Sequence, residues 1–574
     1  MATTRDILAM LDELAKLTTL EEESPQSFKV RAYENAKLGL EADGRDLVDL
    51  SMAELTKIKG VGKATASKIR ELVDTGSVEK LEGLRALYPP AFVELAKIPG
   101  LGPKTLKLVR SELGVETVDD LKQAVANQRL RTLAGMGAAS EEKIGKAIER
   151  LGLHGKDRRT PIADALPLAV RLVEELRTLD GVVDAAYCGS LRRMSETIGD
   201  IDITVASTDP EPVMSHVRTH HLAADIVGSG ETKTSIITRE GLQVDVRVVE
   251  PSQFGAATLY FTGSKAHNIA LRQRAIDQGY LLNEYGLFTE DKMLVASETE
   301  AEIYEALGMS LVVPPMREAT GEIEAAADGS MPELITLADI KGDLHYHTDR
   351  SGDGRSSLAD MVAEAAAKGY AYLAITDHGE DLAINGSSRE QMLEHRANIR
   401  ALQGDYPDMT ILYGCELNIG KDGGLDYDPD FRALFDYTVA SVHSHYDQDP
   451  AKQTARLIAA ISDPTVNSIG HLSGRYIGRR PGIEFDVDAV LDALVEFDVA
   501  LEINGALQRL DAGADVVRKA VAKRVRLVIN TDSHHVSELG RMEYGIHTAQ
   551  RGWAPKDLVV NALAPDAFFA WANG

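Results

Sequence analysis

From Ile340 onward the sequence alternates short apolar runs with amphipathic stretches, and this alternation constrains the fold more than any other feature of the chain. Asp343–His347, Tyr372–Thr376, Ile411–Leu417, Thr438–Val442, Asn467–Gly470, Ala500–Ile503 and Arg526–Asn530 read as about seven strands. Helical patterns at Leu358–Lys368, Ala451–Ile461, Val487–Phe497 and Ala514–Lys523 intervene. Strands that alternate with helices predict a parallel sheet covered by helices. A polar residue sits at or near almost every strand C-terminus: His345 and His347, His378, Glu416, His443, His471, Asn504, Asp532 and His534. Parallel barrels place their chemistry at that face. A single buried His is usually a hydrogen-bonded core or surface residue, but a whole rim of imidazole and carboxylate suits Mn, Zn or Fe better than Ca.

A second constraint lies upstream, in Tyr187–Val205. Gly189 and Ser190 form a turn, Arg192 and Arg193 follow, and Gly199 precedes Asp200-Ile-Asp202-Ile203. Residues i and i+2 of a strand share a face, so Asp200 and Asp202 point the same way while Ile201 and Ile203 are buried. Asp245, in Gln243–Arg247, offers a third carboxylate between β-branched residues. Three acidic groups on neighbouring strands suit a pair of Mg²⁺ ions that take further ligands from substrate phosphates. Two such ions, about 3.5–4 Å apart, can clamp both oxygens of an in-line phosphoryl displacement. The Gly-Ser turn can offer N–H groups and a hydroxyl to phosphate, and Arg193 charge-assisted bonds.

This segment resembles the active-site signature of the nucleotidyltransferase superfamily. Together with Leu259–Ser264 it is similar to the family X DNA polymerases, the beta-like group. The resemblance implies that Asp200, Asp202 and Asp245 are metal-binding carboxylates and that Asp245 activates the primer 3′-hydroxyl. It also implies a nucleotide pocket built from Gly189, Ser190, Arg193, Gly199, Tyr260, Phe261, Gly263, Lys265, Asn268 and Arg272. Tyr260 and Phe261 would pack under the sugar, and Asn268 and Arg272 would face the nascent base pair and template. Two positions depart from the beta enzyme: Lys265 replaces an aspartate and Gln243 an arginine.

The N-terminal 150 residues read as helices. Ile7, Leu8, Leu11, Leu14 and Leu17 recur at helical spacing, and Phe28–Ala36 reads as a second helix. Gly60-Val-Gly62 joins two helical patterns; Gly100-Leu-Gly102 repeats the arrangement, and Gly135-Met-Gly137 repeats it more weakly. A glycine turn lets the backbone approach a phosphate, and the helix that follows presents free N–H groups. The repeats resemble helix-hairpin-helix motifs, which bind the DNA backbone without regard to sequence. On the same resemblance Lys68 matches a Schiff-base lysine that removes 5′-deoxyribose phosphate, and Lys63 and Lys80 match 5′-phosphate contacts.

The C-terminal rim resembles the PHP (polymerase and histidinol phosphatase) domain. His345, His347, His378, Glu416, His443, His471, Asp532 and His534 match its ligands. The ninth comes from the Ser351–Gly354 turn; Asp353 is assigned, with Asp349 as its rival. Nine ligands imply up to three ions, Mn²⁺ or Zn²⁺, and metal-assisted phosphoester hydrolysis.

The expected architecture is therefore multidomain. Helical helix-hairpin-helix domains occupy 1–85 and 86–151, and an α/β nucleotidyltransferase palm occupies 152–251, with a helix over Ile162–Leu179 and the third carboxylate on the strand Arg239–Val249. A thumb follows at 252–317, an acidic linker with about one helical turn at 318–338, and a distorted (βα)7 PHP barrel at 339–574. The formal net charge of −27 argues at first against nucleic acid, but residues 1–150 carry 23 basic against 24 acidic side chains and the excess lies C-terminally. No apolar run approaches the roughly 18 residues of a membrane span. Met1–Asp6 lack signal-peptide features, and with only two cysteines a reducing cytoplasm is expected. The expected function is gap-filling DNA synthesis in base-excision repair with a metal-dependent 3′→5′ exonuclease. Its partners would be gapped or nicked DNA with a 5′-phosphate and dNTPs, and the chain a monomer. The alternative is a DNA-binding phosphodiesterase whose polymerase site only positions nucleotides.

Overall fold

The computed structural model describes residues 4–24, 27–43, 45, 47–96, 98, 100–153, 159–239, 241–382 and 385–573. The chain divides into two compact units, residues 1–159 and 160–574.

The first unit is helical. Its helices run Thr4–Glu21, Phe28–Asp43, Met52–Leu55, Lys63–Thr75, Glu79–Leu87, Pro90–Leu95, Pro103–Leu113, Val118–Ala126 and Ala138–Leu153. Of the residues expected at helical spacing, Ile7, Leu11, Leu14 and Leu17 are buried and Leu8 is partly buried against them, in one apolar cluster that continues through Ile69, Leu106 and Leu121 to Ile148. The three Gly-x-Gly turns share a backbone. Gly60, Gly100 and Gly135 have φ of 91°, 95° and 79°, a region that disfavours side chains. Gly62 and Gly102 are the N-caps of the helices that follow.

The second unit begins with a five-stranded sheet ordered Val182–Tyr187, Asp200–Ser207, Gln243–Val249, Lys233–Thr238, Ala223–Ser229. Only Asp200–Ser207 and Gln243–Val249 pair in parallel; the other neighbours are antiparallel. Helix Ile162–Arg177 buries Ile162, Leu166, Ala169, Val173 and Leu176 with the strands' Ile201, Ile203, Val244 and Val246. Residues 254–316 supply helices Phe254–Thr262 and Lys265–Asp277, the antiparallel meander Tyr280–Asn283, Gly286–Thr289 and Leu294–Ala296, and helix Glu300–Ala306. In the segment expected as a linker, helix Glu322–Asp328 packs Ile323 and Ala326 into the apolar cluster of this subdomain. Its fully buried Glu322 lies 2.7 Å from His267 Nδ1 and accepts N–H bonds from Ala319 and Thr320.

The remaining residues form seven parallel strands in sequential order: Gly342–Asp343, Tyr372–Ile375, Thr410–Asn418, Tyr437–Ser441, Ser468–Gly470, Ala500–Asn504 and Leu527–Asn530. The last strand returns to the first. Tyr346 and Ser533 form a parallel bridge, and His347 N–H and Asp532 N–H donate to Ser533 O (2.9 Å) and His345 O (3.1 Å). The barrel also packs against the first sheet. Leu507 and Leu510 are buried in that sheet's apolar cluster, with Ile477 and Tyr544 against it. Arg475 pairs with Glu196 at 2.8 Å, and Arg551 with Glu318 at 2.7 Å.

Candidate active sites in the sheet and the barrel

The parallel pairing of Asp200–Ser207 with Gln243–Val249 puts Asp202 directly opposite Asp245, with Asp200 opposite Gln243. The alternation places Ile201, Ile203, Val244 and Val246 in the core and leaves the three carboxylates on the other face. Asp202 is pushed up to about 7, first by burial and then by the charges of Asp200 and Asp245. This crowding is what a bound cation relieves. Asp245 behaves in the opposite way. Burial would raise it, but hydrogen bonds from Lys233 (2.6 Å) and Gln243 (2.8 Å), with one from Ser235, hold it below the usual range. Gln243 thus binds the carboxylate directly. Lys233 was not singled out in the sequence, because its approach depends on the register of an antiparallel neighbour.

Gly189 has φ 62°, and a Cβ there would lie 2.5 Å from Asp202 Oδ2, so the turn can back onto the carboxylate only as glycine. Gly189 and Ser190 open a short helix, Gly189–Arg192. Arg193 donates to Thr262 O and to Glu318 Oε1 at 3.0 Å. Asn268 Nδ2 donates to Tyr260 O at 2.7 Å, and the Arg272 guanidinium lies 5.8 Å from the Tyr260 ring. Phe261 stacks under Arg247 at 4.2 Å and meets Tyr260 edge-on at 5.1 Å. Gly263 lies beside Arg193, and Lys265 is exposed in the first turn of its helix, as Gly199 is before Asp200. Apart from Gly199, just before the strand of Asp200, the expected nucleotide residues therefore lie on or at the ends of three helices, Gly189–Arg192, Phe254–Thr262 and Lys265–Asp277.

The barrel rim gathers its nine residues more tightly. Glu416 is the hub: its two oxygens lie 2.8 Å from His378 Nδ1, 2.9 Å from His471 Nε2, 3.2 Å from His443 Nε2, 3.3 Å from His345 Nε2 and 3.5 Å from His347 Nε2. Asp532 Oδ1 is 3.4 Å from His347 Nε2 and 3.6 Å from His345 Nε2. Of the two candidate aspartates, Asp353 joins the group, 3.5 Å from both His378 Nε2 and His534 Nε2; Asp349 is exposed.

Several of these groups lack ordinary partners. Among the described residues, His345 Nε2, His347 Nε2, His378 Nδ1, His443 Nδ1, His471 Nδ1 and Asp353 Oδ1 are buried without a hydrogen bond. Buried polar atoms are rarely left so; His345 Nε2, His347 Nε2 and His378 Nδ1 face Glu416, and imidazole nitrogens turned to a carboxylate are a donor set that fits transition metals. Burial, with the charges of His534 and His378, presses His347 down to about 4; burial also presses His443 to about 4 despite Glu416. Both are then neutral near pH 7, the form that ligates. His378 is the converse: burial opposes its charge, but Glu416 and Asp353 lift it to about 10.

A second tier orients the rim. The fully buried Glu502 lies 2.6 Å from His345 Nδ1, accepts Asn530 Nδ2 and accepts the N–H of His471, which turns His345 Nε2 to the cluster. Asp377 accepts Thr348 N–H and Ser351 N–H and Oγ–H, and sits 2.9 Å from His395, fixing the turn that carries Asp353. Sequence reasoning missed both. Their signal was a carboxylate in or ending an otherwise apolar strand, where charge is rarely buried without a partner.

Glu175, His216 and His220 also approach one another. There His220 Nδ1 accepts Leu222 N–H, so Nε2 carries the proton that bonds Glu175 at 2.8 Å, whereas His216 Nε2, 3.7 Å from the same oxygen, is buried without a hydrogen bond among the described residues.

In the first unit, Lys63 is exposed at the start of its helix. Lys68 Nζ donates to Ala64 O at 3.3 Å and lies 6.0 Å from the Tyr33 ring. Lys80 is paired with Glu21 at 2.7 Å.

Comparison with known proteins covers the same regions. Residues 3–78 match a helix-hairpin-helix domain, 92–150 a SAM-like helix-hairpin-helix tandem, 257–318 the DNA polymerase beta thumb and 343–506 the PHP domain. The chain is similar to the DNA polymerase/3′-5′ exonuclease PolX of Bacillus subtilis, 38% identical over 97% of each chain. It is also similar to a probable phosphatase of Shewanella sediminis, 32% identical over 40% of this chain and 93% of that one, and to a probable phosphatase of Thermoanaerobacter sp., 28% identical over 38% and 89%.

Proposed function

Because the chain belongs to the family X DNA polymerases that carry a PHP domain, we propose that it extends DNA primers at the three-aspartate face and hydrolyses 3′ ends at the barrel rim. The observation that carries this reading is the pair of separate constellations. One is purely carboxylate, with Asp202 opposite Asp245; the other is imidazole-rich around Glu416.

Mg²⁺ held by Asp200, Asp202 and Asp245, and Mn²⁺ or Zn²⁺ held by His345, His347, Asp353, His378, Glu416, His443, His471, Asp532 and His534, would activate an attacking oxygen and offset phosphate charge. The chain's own groups do the rest. Lys233 and Gln243 keep Asp245 ionised, so that it accepts the proton of the primer 3′-hydroxyl. Ser190, the N–H groups of the Gly189 turn and Arg193 receive the triphosphate, with Arg193 exchanging Glu318 for a phosphate oxygen. Tyr260 and Phe261 carry the sugar, and Asn268 and Arg272 face the base pair. At the rim, Glu502 orients His345 and Asp377 orients the Asp353 turn.

The N-terminal repeats suggest the substrate. Gly60, Gly62, Gly100 and Gly102 would hold DNA phosphates, Lys63 and Lys80 a 5′-phosphate, and Lys68 would form a Schiff base with a 5′-deoxyribose phosphate. The proposed role is gap filling in DNA repair, by a cytoplasmic monomer. Among the described residues no helix is long and apolar enough to cross a membrane. The similarity to probable phosphatases supports phosphoester hydrolysis by the barrel.

The test is one gapped duplex with a 5′-phosphate, given Mg²⁺ and dNTPs or Mn²⁺ alone. Extension in the first and 3′ trimming in the second are expected; trimming without extension would favour the phosphodiesterase alternative. Borohydride should trap wild type, but not Lys68→Ala, on a 5′-deoxyribose phosphate end.

A further inference from the structure

Three loops at the barrel rim meet in a ladder of cations and rings. The Arg480 guanidinium lies 4.0 Å from the Tyr446 ring and 4.8 Å from Tyr476, and Arg509 lies 4.4 Å from Tyr476 on its other contact. Each rung is tied to a loop that carries a rim residue. Tyr446 Oη donates to Val442 O, next to His443; Arg480 donates through Nε and Nη2 to Gly474 O; Gly474 N–H donates to His471 O. Arg509 follows the strand that carries Glu502.

The ladder ends at the rim. Arg509 Nη2 donates to Tyr476 Oη at 3.1 Å, and its Nε stands 3.6 Å from Asp532 Oδ2. Its Nη1 is buried with no hydrogen-bond partner among the described residues. Asp532 offsets the guanidinium's charge on the Nε side, but a buried donor such as Nη1 is rarely left without an acceptor, and a phosphate oxygen supplies one. The tyrosine contact fixes the plane of the fork, and with Nε beside Asp532 and Nη2 on Tyr476 Oη, Nη1 is the nitrogen left for a phosphate oxygen.

We propose that Arg509 holds the scissile phosphate of a DNA 3′ end at the barrel rim, and that Tyr476 and Arg480 are positioning residues that fix Arg509. This rests on the hydrolytic reading of the rim. Arg509 lends its free N–H to a non-bridging oxygen and neutralises charge on the phosphate; no bond to it forms or breaks.

The experiment compares wild type, Arg509→Ala, Arg509→Lys and Tyr476→Leu on a single-stranded oligonucleotide with Mn²⁺. Arg509→Ala should lower kcat/KM for 3′ hydrolysis about 10- to 150-fold, the loss of one charged hydrogen bond, and Arg509→Lys should recover part of it. Metal bound per chain and primer extension should stay at wild-type levels. Binding to an oligonucleotide with a hydrolysis-resistant phosphorothioate 3′ linkage should lose about one unit of salt slope. Tyr476→Leu should be costly in wild type and nearly silent in Arg509→Ala. Unchanged hydrolysis in Arg509→Ala overturns the proposal, as does loss of metal together with activity, which would make Arg509 a prop for Asp532. Absence of hydrolysis in wild type itself would refute the underlying reading, and this inference with it.

Discussion

Glu300 lies between two arginines. Its oxygens are 2.7 and 3.0 Å from Arg192 and the same distances from Arg317, which is fully buried. Burial alone would raise its pKa, but Arg317 and then Arg192 pull it down to about 2. Because the folded value lies below the ordinary 4.5, the stabilisation is complete above about pH 4.5 and is lost as pH falls towards 2. Glu300→Gln leaves Arg317 buried without its counter-charge. It should cost about 3–5 kcal/mol at pH 7, and urea melts should show the gap from wild type narrowing below pH 4.5. At the rim, Glu502→Gln keeps the shape but removes the charge that orients His345. Metal affinity should fall about 10- to 100-fold, read by chelator competition, while primer extension is unchanged. Asp200 with Asp202, and His345 with His347, were legible in the sequence because strand alternation fixes which side chains share a face; Asp245 and the other rim histidines lie on separate strands and are marked by their place on or near strand ends and by the family resemblance. Lys233 was not, because nothing local encodes which strand lies beside Gln243–Val249. Arg509 was not either, because its meaning lies in contacts between loops far apart in the chain.

At the scale of elements, period-2 and period-3.6 patterns carried the seven parallel strands and the helical N-terminus. Boundaries shifted where local signals are weak: the helix expected to reach Leu179 ends at Arg177, and the strand sought from Arg239 begins at Gln243. The barrel expected from the resemblance does form, and the return of its last strand to the first is made by residues 346 and 533, a pairing that no local pattern encodes. The glycine repeats invite a sharper test than simple bulk. A Cβ at Gly60 would lie 2.5 Å from Asn35 O, whereas one at Gly62 or Gly102 would meet nothing within 4 Å. Gly62→Val and Gly102→Val should therefore leave the helical circular dichroism intact and weaken DNA binding about equally for all sequences. Binding that changes with sequence, or is unchanged in both, would remove these turns from the DNA contact.

For the whole molecule, the two constellations share no residue, so they should be separable by mutation. Asp200→Ala with Asp202→Ala should abolish nucleotide addition and spare 3′ hydrolysis, and His345→Ala with His347→Ala should do the reverse. Loss of hydrolysis in a folded, DNA-binding Asp200→Ala/Asp202→Ala chain would show that the barrel is not the hydrolytic centre. Separable chemistry does not mean separable folding. The barrel's Leu507 and Leu510 lie in the apolar cluster of the polymerase sheet. A chain ended at residue 338 would lose both, at about 2–5 kcal/mol for each such leucine if the gap does not close. Calorimetry of residues 160–574 should accordingly give one transition rather than two. The barrel is thus part of the polymerase's interior as well as the proposed site of 3′ hydrolysis. Removing that hydrolysis by deletion would first require a new surface for the synthetic half, whereas silencing it needs only a change at the rim.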